Sequence, residues 1–195
     1  MSAELPIFPL NTVLFPGGAL PLRIFEQRYM TMASVCLRQG NPFGVCLIEK
    51  GAEVGAPAQP HAVGSSARIV QWDMPQLGIL QVTVHGGQRF RIAQAQADRH
   101  GLLRARVEWL DPEPSRPVPD TLAELLPLLR SVVEDLGEER VPTPHAFDDA
   151  TWVGYRYAEI LPIPLIARQK LLELDQPVSR LEIISRFLHG RGVLT

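Results

Sequence analysis

The feature that most constrains the fold is a proline-rich segment near the middle of the chain, Asp111-Pro112-Glu113-Pro114-Ser115-Arg116-Pro117-Val118-Pro119. Proline has no backbone N–H and its ring fixes φ, so this segment can be neither a helix interior nor a central strand. It is typical of a stiff, extended linker. The 195 residues contain 18 prolines in all, which predicts many short elements instead of a few long helices.

The hydrophobic pattern and the charge both change at this segment. Before it, the apolar runs are short and often alternate; after it, apolar residues recur at helical spacing. Residues 1–110 carry 10 Lys+Arg and 7 Asp+Glu, a net charge of +3, whereas residues 111–195 carry 9 and 14, a net charge of −5. We therefore predict a β-rich subdomain over residues 1–110, a linker over 111–119 and a helical subdomain over 120–195.

The β-rich part contains turn signals at short intervals, among them Phe15-Pro16-Gly17-Gly18 and Gly40-Asn41-Pro42. One helix is predicted over residues 26–37. Strands are predicted over residues 5–10, 19–24, 43–49, 63–72, 79–85, 89–95 and 102–109. Six or seven short strands with one helix favour a small closed or nearly closed β-barrel.

The last two predicted strands form a hairpin with strict alternation, and Asp98-Arg99-His100-Gly101 is predicted to form the turn between them. Phe90 and Trp109 fall on the apolar face and are predicted to be buried. The opposite face carries four arginines, Arg89, Arg91, Arg104 and Arg106. Arg89 and Arg106 are predicted to be more exposed than Phe90 and Trp109. Like charges on neighbouring strands cost stability unless they are offset. An anion, a carboxylate or RNA phosphate would offset them, and a solvated or internally paired face is the alternative. These four are the candidate ligand-binding residues.

The second part is predicted to be a compact bundle of four helices. Thr121-x-x-Glu124 matches a capping box that would open the first helix, and Pro127 should bend that helix or shift its start. The other helices are predicted over residues 149–161, 164–174 and 177–190. The expected class is therefore α+β.

The usual motifs of catalysis and of metal or cofactor binding are missing. The chain has no GxxxxGK[ST] loop, no GxGxxG and no GxSxG, and its five histidines are scattered without an HExxH pair. The two cysteines, Cys36 and Cys46, have nine residues between them and are interpreted as buried apolar residues. We therefore predict no catalytic residue, no metal and no cofactor.

The charge and hydropathy also narrow the partners. A net charge of −2 argues against DNA and against a polybasic membrane binder. Neither a secretory signal nor an apolar run of about 20 residues is present. A cytoplasmic protein is expected.

The N-terminus carries a long and specific pattern, Pro6-Ile7-Phe8-Pro9-Leu10-Asn11-Thr12-Val13-Leu14-Phe15-Pro16-Gly17-Gly18, followed by Leu20-Pro21-Leu22-Arg23-Ile24-Phe25-Glu26-x-Arg28-Tyr29. It resembles the opening of the Lon protease N-terminal domain, the LON substrate-binding domain. Later stations are similar in order and spacing: Phe43-Gly44-Val45, Glu53-Val54-Gly55, Val63-Gly64, Arg89-Phe90-Arg91-Ile92, Arg168-Gln169-Lys170-Leu171-Leu172-Glu173 and Arg180-Leu181. The segment Trp72-Asp73-Met74-Pro75-Gln76 departs from the pattern, because relatives tend to be more polar and acidic there.

The resemblance implies a β-barrel similar to PUA domains, followed by a helical bundle. It also implies a recognition domain without the ATPase and Ser-Lys peptidase modules of the full protease, as in stand-alone bacterial relatives. The function that we predict is a non-catalytic module that binds peptides or unfolded protein segments. Two alternatives stay open: an RNA-binding PUA-like module and an unrecognised hydrolase.

Overall fold

The structure, a computed structural model, describes residues 2–194 and divides into two compact units, residues 1–111 and 112–195. The first unit contains one helix and seven strands, and all the strands belong to one sheet. The elements are β1 (Ser2–Leu10), β2 (Ala19–Ile24), α1 (Gln27–Gln39), β3 (Phe43–Lys50), β4 (Gln59–Pro60), β5 (Val63–Gln76), β6 (Ile79–Ala97) and β7 (Leu103–Trp109). The expected α+β class is confirmed.

The strands follow the order β1-β7-β6-β5-β3-β4, and β2 pairs with β6 beside this path. All pairs are antiparallel except β1 with β3, where Ile7 lies opposite Gly44 and Leu10 opposite Leu47. Because β1 pairs with both β7 and β3, the pairings of β1, β7, β6, β5 and β3 run in a closed ring.

The long strand β6 was predicted as two strands separated at Gly86-Gly87, and this prediction is wrong. The glycines do not end the strand. They lack a Cβ, and the strand can therefore pass close to the turn after Phe15. A Cβ on Gly86 would lie 2.1 Å from the Phe15 carbonyl oxygen. The Gly86 N–H instead donates to the Gly18 carbonyl oxygen at 2.8 Å. Close backbone approach is a common reason for glycine inside a strand.

Among the described residues, the core of the first unit includes two apolar clusters. The larger includes Phe8 and Tyr29, whose rings stack at 4.0 Å between centroids, and it covers the inner side of α1. The smaller gathers around Phe90, with Leu5, Ile7, Cys46, Leu103, Ala105 and Val107. Burying these side chains stabilises the unit by roughly 1.5–3 kcal/mol per large residue.

The second unit contains a short 3-10 turn (Asp120–Leu122) and four helices, which are α2 (Leu125–Leu136), α3 (Ala150–Ile160), α4 (Leu165–Glu173) and α5 (Pro177–Gly190). The predicted capping box does not form: the helix begins only after Glu124, whose side chain caps nothing. The start is shifted so that Pro127 falls in the first turn, where a missing N–H breaks no helical bond. Asp149 does cap α3, accepting from the Thr151 N–H at 3.1 Å.

A buried ion pair holds residues of the proline-rich segment against these helices. The two terminal nitrogens of Arg180 donate to the two carboxylate oxygens of Glu113 at 2.8 and 2.7 Å, and its Nε donates to the Leu171 carbonyl oxygen at 2.9 Å. The guanidinium also lies over the Tyr155 ring, 4.2 Å from the centroid, and the Tyr155 hydroxyl donates to Glu113. Bidentate geometry and several added bonds are what a buried ion pair needs to offset its desolvation.

Candidate functional site

The β5–β6 hairpin exposes large apolar side chains beyond the body of the first unit. Residues 70–78 are all exposed, and among them are Val70, Trp72, Met74 and Leu77, which we call the hairpin patch. Trp72 is 59% and Leu77 93% exposed. Large apolar side chains clustered at one exposed position are typical of a binding surface, whereas single ones are ordinary.

On its β5 side, the hairpin forms an open edge of the sheet. From Arg68 to Gln76, β5 pairs with β6 alone among the described strands, and the register shifts between Ile69 and Gln71 and again between Asp73 and Gln76. Such bulges bend and twist a strand. The patch therefore lies on the ribbon of β5 and β6, whose β5 edge is open and whose β6 edge pairs with β2 from Leu80 to His85.

Two shallow depressions lie next to this ribbon along β2. The first, of about 450 Å³, is lined by Pro21, Leu22, Arg23, Gln71, Trp72, Asp73, Gln81, Val82 and Thr83. The second, of about 230 Å³, shares Pro21, Leu22 and Arg23 with it. Its rim includes Phe25, 54% exposed, and Val54, 58% exposed. We call the second depression the β2 groove. Together with the hairpin patch and the first depression it forms one strip of mixed character, in which apolar side chains lie among polar ones such as Arg23, Gln71 and Asp73.

The four candidate arginines do not converge on one face, contrary to the prediction. Arg89 is only 4% exposed, so its predicted exposure is wrong. An extra residue of β6 between Gly86 and Arg89 shifts the register there, and Arg89 lies opposite the buried Ser65. The next residue, Phe90, is also buried, so both faces of β6 are covered at this point and simple alternation fails. Phe90 is buried as predicted, whereas Trp109 is only partly buried and packs edge-on against it at 6.2 Å.

The remaining arginines lie on the outer face of β6 and β7 but are separated by other side chains. Arg91 lies opposite Glu108, whereas Arg104 and Arg106 lie opposite Gln96 and Gln94. A second bulge at Ala93, between Ile92 and Gln94, moves these pairs apart. The four arginines therefore do not form the continuous basic surface that the alternation predicted.

Arg104 is neutralised by two carboxylates. Its guanidinium lies 3.6 Å from Glu4 and 3.5 Å from Asp98. Asp98 also accepts from the N–H groups of His100 and Leu102 at 2.8 and 3.1 Å, which forms the predicted turn. Desolvation opposes ionisation of Asp98, but these hydrogen bonds and the Arg104 charge outweigh it and hold the pKa of the carboxyl below its usual range.

One serine, one histidine and one glutamate of the second unit do come together, which bears on the hydrolase alternative. Ser185 Oγ lies 3.3 Å from His189 Nδ1, and His189 Nε2 lies 3.6 Å from Glu124 Oε1. However, Nδ1 also lies 3.0 Å from the Ser185 carbonyl oxygen, so it carries the proton and donates. A nitrogen that donates to a carbonyl cannot accept the serine proton, and this arrangement does not activate a nucleophile.

The cysteines provide no reactive thiolate, and the metal-ligating residue types provide no metal site among the described residues. Burial raises the pKa of both thiols, Cys36 and Cys46, so neither is a ready thiolate. Within residues 2–194, no group of three or more His, Cys, Asp and Glu side chains is arranged to hold a metal ion. None of the helices in that range has the length and apolar character needed to cross a membrane.

Comparison with known proteins decides the family. A profile of the ATP-dependent protease La (LON) substrate-binding domain matches residues 4–190. The chain belongs to the LON substrate-binding domain family. A Lon protease from Anaeromyxobacter dehalogenans is 28% identical over 200 residues, covering 97% of this chain but 23% of that protein. Protein cereblon of Danio rerio is 30% identical over 126 residues, covering 63% of this chain and 28% of cereblon.

Solved structures agree with this assignment. The Lon N-terminal domain protein from Xanthomonas campestris has a TM-score of 0.79 and 34% identity, covering 94% of this chain and 98% of that one. The N-terminal domain of Mycobacterium avium complex Lon protease has a TM-score of 0.63 at 17% identity, which shows a shared fold. This LON domain spans about a quarter of the length of the Lon proteases that it matches.

The hairpin patch was not predicted as a surface. The segment from Trp72 to Gln76, which departs from the family pattern because it is less polar and acidic, falls on the patch. That departure gave no sign of exposure, because residues 63–72 were predicted simply as a strand. The pairing that leaves the β5 edge open is a long-range property and is not encoded in local spacing.

Proposed function

We propose that this LON domain is a non-catalytic recognition module that binds exposed apolar segments of unfolded polypeptides at the hairpin patch and the β2 groove. The observation that carries the proposal is the exposure of Trp72 on the open β5 edge and of Leu77 at the tip of the hairpin. Membership in a substrate-binding family supports the same class of ligand. An unfolded chain offers what this strip lacks, which is apolar surface to cover it.

The energetics favour weak, multipoint binding. Covering a tryptophan and its apolar neighbours contributes roughly 25 cal/mol per Å² buried, from which the ordering of a flexible chain must be subtracted. Aromatic side chains usually dominate such surfaces, so Trp72 should carry the largest share. Arg23 and Asp73 at the depression would orient the chain without adding much affinity.

We also propose a fold type, a domain boundary and a cellular location for this domain. The closed ring of pairings is proposed to be a PUA-like β-barrel, and the four helices a bundle. The boundary is proposed to lie in the proline-rich segment 111–119. The domain would act in the bacterial cytoplasm and would hydrolyse neither ATP nor peptide bonds by itself.

The test is fluorescence anisotropy with a labelled, reduced and carboxymethylated α-lactalbumin as the unfolded probe. Trp72→Ser should weaken binding by about 10-fold, which corresponds to ~1.4 kcal/mol, and Leu77→Ser by several-fold. Ile166→Ser is the matched control, because Ile166 is a 53% exposed apolar residue on α4. It should bind like the unchanged protein.

Two outcomes would contradict the proposal. Equal losses with Trp72→Ser and Ile166→Ser would show binding without a defined site. Tight, steeply salt-dependent binding of a uridine oligonucleotide, with no binding of the unfolded probe, would favour the RNA alternative.

A further inference from the structure

The end of strand β6 presents an unpaired edge of the sheet. On one side β6 pairs with β5 through Arg91; on the other it pairs with β2 over Leu80–His85 and then with β7 over Phe90–Ala97. Beyond Ile92, no described strand pairs with the edge of β6 that faces away from β7. Residues Ala93, Gln94, Ala95, Gln96 and Ala97 are all exposed.

The hydrogen bonds at the ends of this stretch show which backbone groups face that edge. The Asp98 N–H donates to the Leu102 carbonyl oxygen at 2.9 Å, so this pair exchanges bonds with β7. In an antiparallel ladder every second residue forms such backbone bonds, so the N–H and C=O groups of Gln96 and Gln94 point toward β7. The N–H and C=O groups of Ala95 and Ala97 therefore point away from β7.

The other side of the Ala93 bulge gives the same answer independently. The Leu110 N–H donates to the Arg89 carbonyl oxygen at 3.0 Å, so Arg89 and Arg91 face β7. Ile92 must then face the other way, and its N–H does donate to the Ala62 carbonyl oxygen at 2.7 Å. The chain at Ala62 thus already bonds to this edge of β6 at Ile92. The backbone groups of Ala95 and Ala97 lie further along the same edge.

The sheet's other open edges carry the features that block strand addition. On β2, the Gly86 N–H bond to Gly18 places residues 18, 20, 22 and 24 toward β6, so Pro21 faces the open edge and offers no N–H. The outer part of β5 contains Pro75 and two register shifts. Proline and bulges are common protections of sheet edges. Residues 93–97 contain neither proline nor charge.

The charges beside the edge indicate which polypeptide fits. A depression of about 490 Å³ lies on the outer face, and its polar lining consists of Arg99, Arg104, Arg106, Gln94, Gln96 and the carboxylates Glu4 and Asp98. Glu4 and Asp98 pair with Arg104, and within residues 2–194 no carboxylate lies within ion-pair distance of Arg99 or Arg106. A second copy of the chain would bring the same arginines and no acidic residue on its own 93–97 segment, so self-pairing lacks charge complementarity.

We propose that residues 93–97 of β6 accept an extended polypeptide segment as an additional antiparallel strand, with acidic side chains on its outer face and backbone hydrogen bonds to Ala95 and Ala97. The inference rests on the proposed polypeptide-binding function and adds a second contact to it. Main-chain bonds recognise any extended segment, and the arginines select acidic residues at every second position.

The direct test uses a fluorescent ten-residue peptide of alternating valine and glutamate. In an antiparallel pair, residues that bond to each other share a face, so the valines on the inner face must donate to the edge. N-methylation of two valines should therefore abolish binding, and N-methylation of two glutamates should leave it within about 2-fold. Equal effects of the two methylations would overturn strand addition.

Variants of the edge give a second readout. Ala95→Pro removes the N–H that points away from β7 and leaves every hydrogen bond to β7 in place. Peptide affinity should therefore fall at least about 5-fold. Ala95→Val keeps the N–H and should bind normally. Arg106→Gln should weaken the glutamate peptide several-fold and leave a valine-threonine peptide unchanged. Thermal unfolding of each variant shows whether it is folded.

The remaining outcomes separate this inference from others. Ala95→Pro should leave binding of the carboxymethylated α-lactalbumin probe at the hairpin patch largely intact, whereas Trp72→Ser should leave the peptide unaffected. A dimer in sedimentation velocity that Ala95→Pro dissociates would overturn the proposal in favour of self-pairing. Displacement of the peptide by a uridine oligonucleotide, lost in Arg106→Gln, would assign the site to nucleic acid.

Discussion

The hairpin patch and the Arg180 ion pair place side chains against their usual preferences in opposite directions. The first unit leaves a tryptophan and a leucine in solvent, whereas the second unit encloses a whole guanidinium group and its carboxylate. The buried charge is fully bonded and therefore has a structural explanation. The exposed apolar residues contact little that would explain them. Of these two regions, only the exposed apolar residues of the hairpin patch indicate an external ligand.

The largest effect is expected from breaking the buried ion pair. Arg180→Met leaves Glu113 buried without its cation, so the free energy of unfolding should fall by about 3–5 kcal/mol. Urea denaturation measures it. Arg186→Met, at an exposed arginine of the same helix, should change stability by less than about 0.5 kcal/mol.

Combining Arg180→Met with Glu113→Gln should recover at least about 1 kcal/mol, because the uncompensated charge is gone. A loss below about 1 kcal/mol in Arg180→Met alone would show that the ion pair is not structural.

The next effect concerns the space that Arg180 needs. A Cβ on Gly154 of α3 would lie 3.0 Å from Arg180 Cδ and 3.4 Å from its Cγ. Gly154→Ala should therefore destabilise the protein by roughly 1–2 kcal/mol despite the better helix propensity of alanine. At Gly190 of α5 a Cβ meets nothing within 4 Å.

Gly190→Ala is the matched control and should be neutral or stabilising by a few tenths of a kcal/mol. Thermal unfolding of the two variants compares them directly. Equal shifts would mean that the approach of Arg180 to α3 is not tight.

A smaller effect is expected at Asp98, whose pKa is lowered in the folded protein. A lowered folded pKa gives stability that is complete above the unfolded pKa of about 3.9 and is lost as the pH falls through the folded pKa. The stability difference between the protein and Asp98→Asn should therefore be constant above about pH 5 and shrink below about pH 4. Urea midpoints at pH 7 and pH 3 test it, and a difference that grows on acidification would contradict the assignment.

The smallest effect sharpens the comparison from the other side. Trp72→Ser and Leu77→Ser should change the free energy of unfolding by less than about 0.5 kcal/mol, because these side chains are exposed and pack against little. Chemical denaturation measures this. A loss of 2 kcal/mol or more would mean that the hairpin patch stabilises the fold and is not reserved for a ligand.

Local patterns predicted much of the fold. β2 begins and ends where turn signals predicted, at Ala19 and Ile24, and Asp149 begins α3 as expected. These features depend on residues close in sequence. The turn at Asp98 was found for the same reason, because its aspartate bonds to the next few N–H groups.

The errors arose where distant segments meet. The continuity of β6 depends on Gly86 approaching Phe15, and the burial of Arg89 depends on pairing with Ser65 across the sheet. Arg180 finds Glu113, which lies 67 residues away. Alternation and helical spacing do not contain such information. The predicted arginine face is therefore wrong for Arg89, and the hairpin patch was not predicted.

The central claim is that unfolded polypeptide is bound at the hairpin patch. The most direct measurement is photo-cross-linking, with p-benzoylphenylalanine placed at position 77 or, as control, at position 166. Both positions are exposed, so reactivity alone favours neither strongly. We predict that carboxymethylated α-lactalbumin is cross-linked at position 77 at least about 5-fold more than at position 166, and that excess unlabelled probe abolishes the difference. Equal cross-linking at the two positions, or none at position 77, would contradict the account.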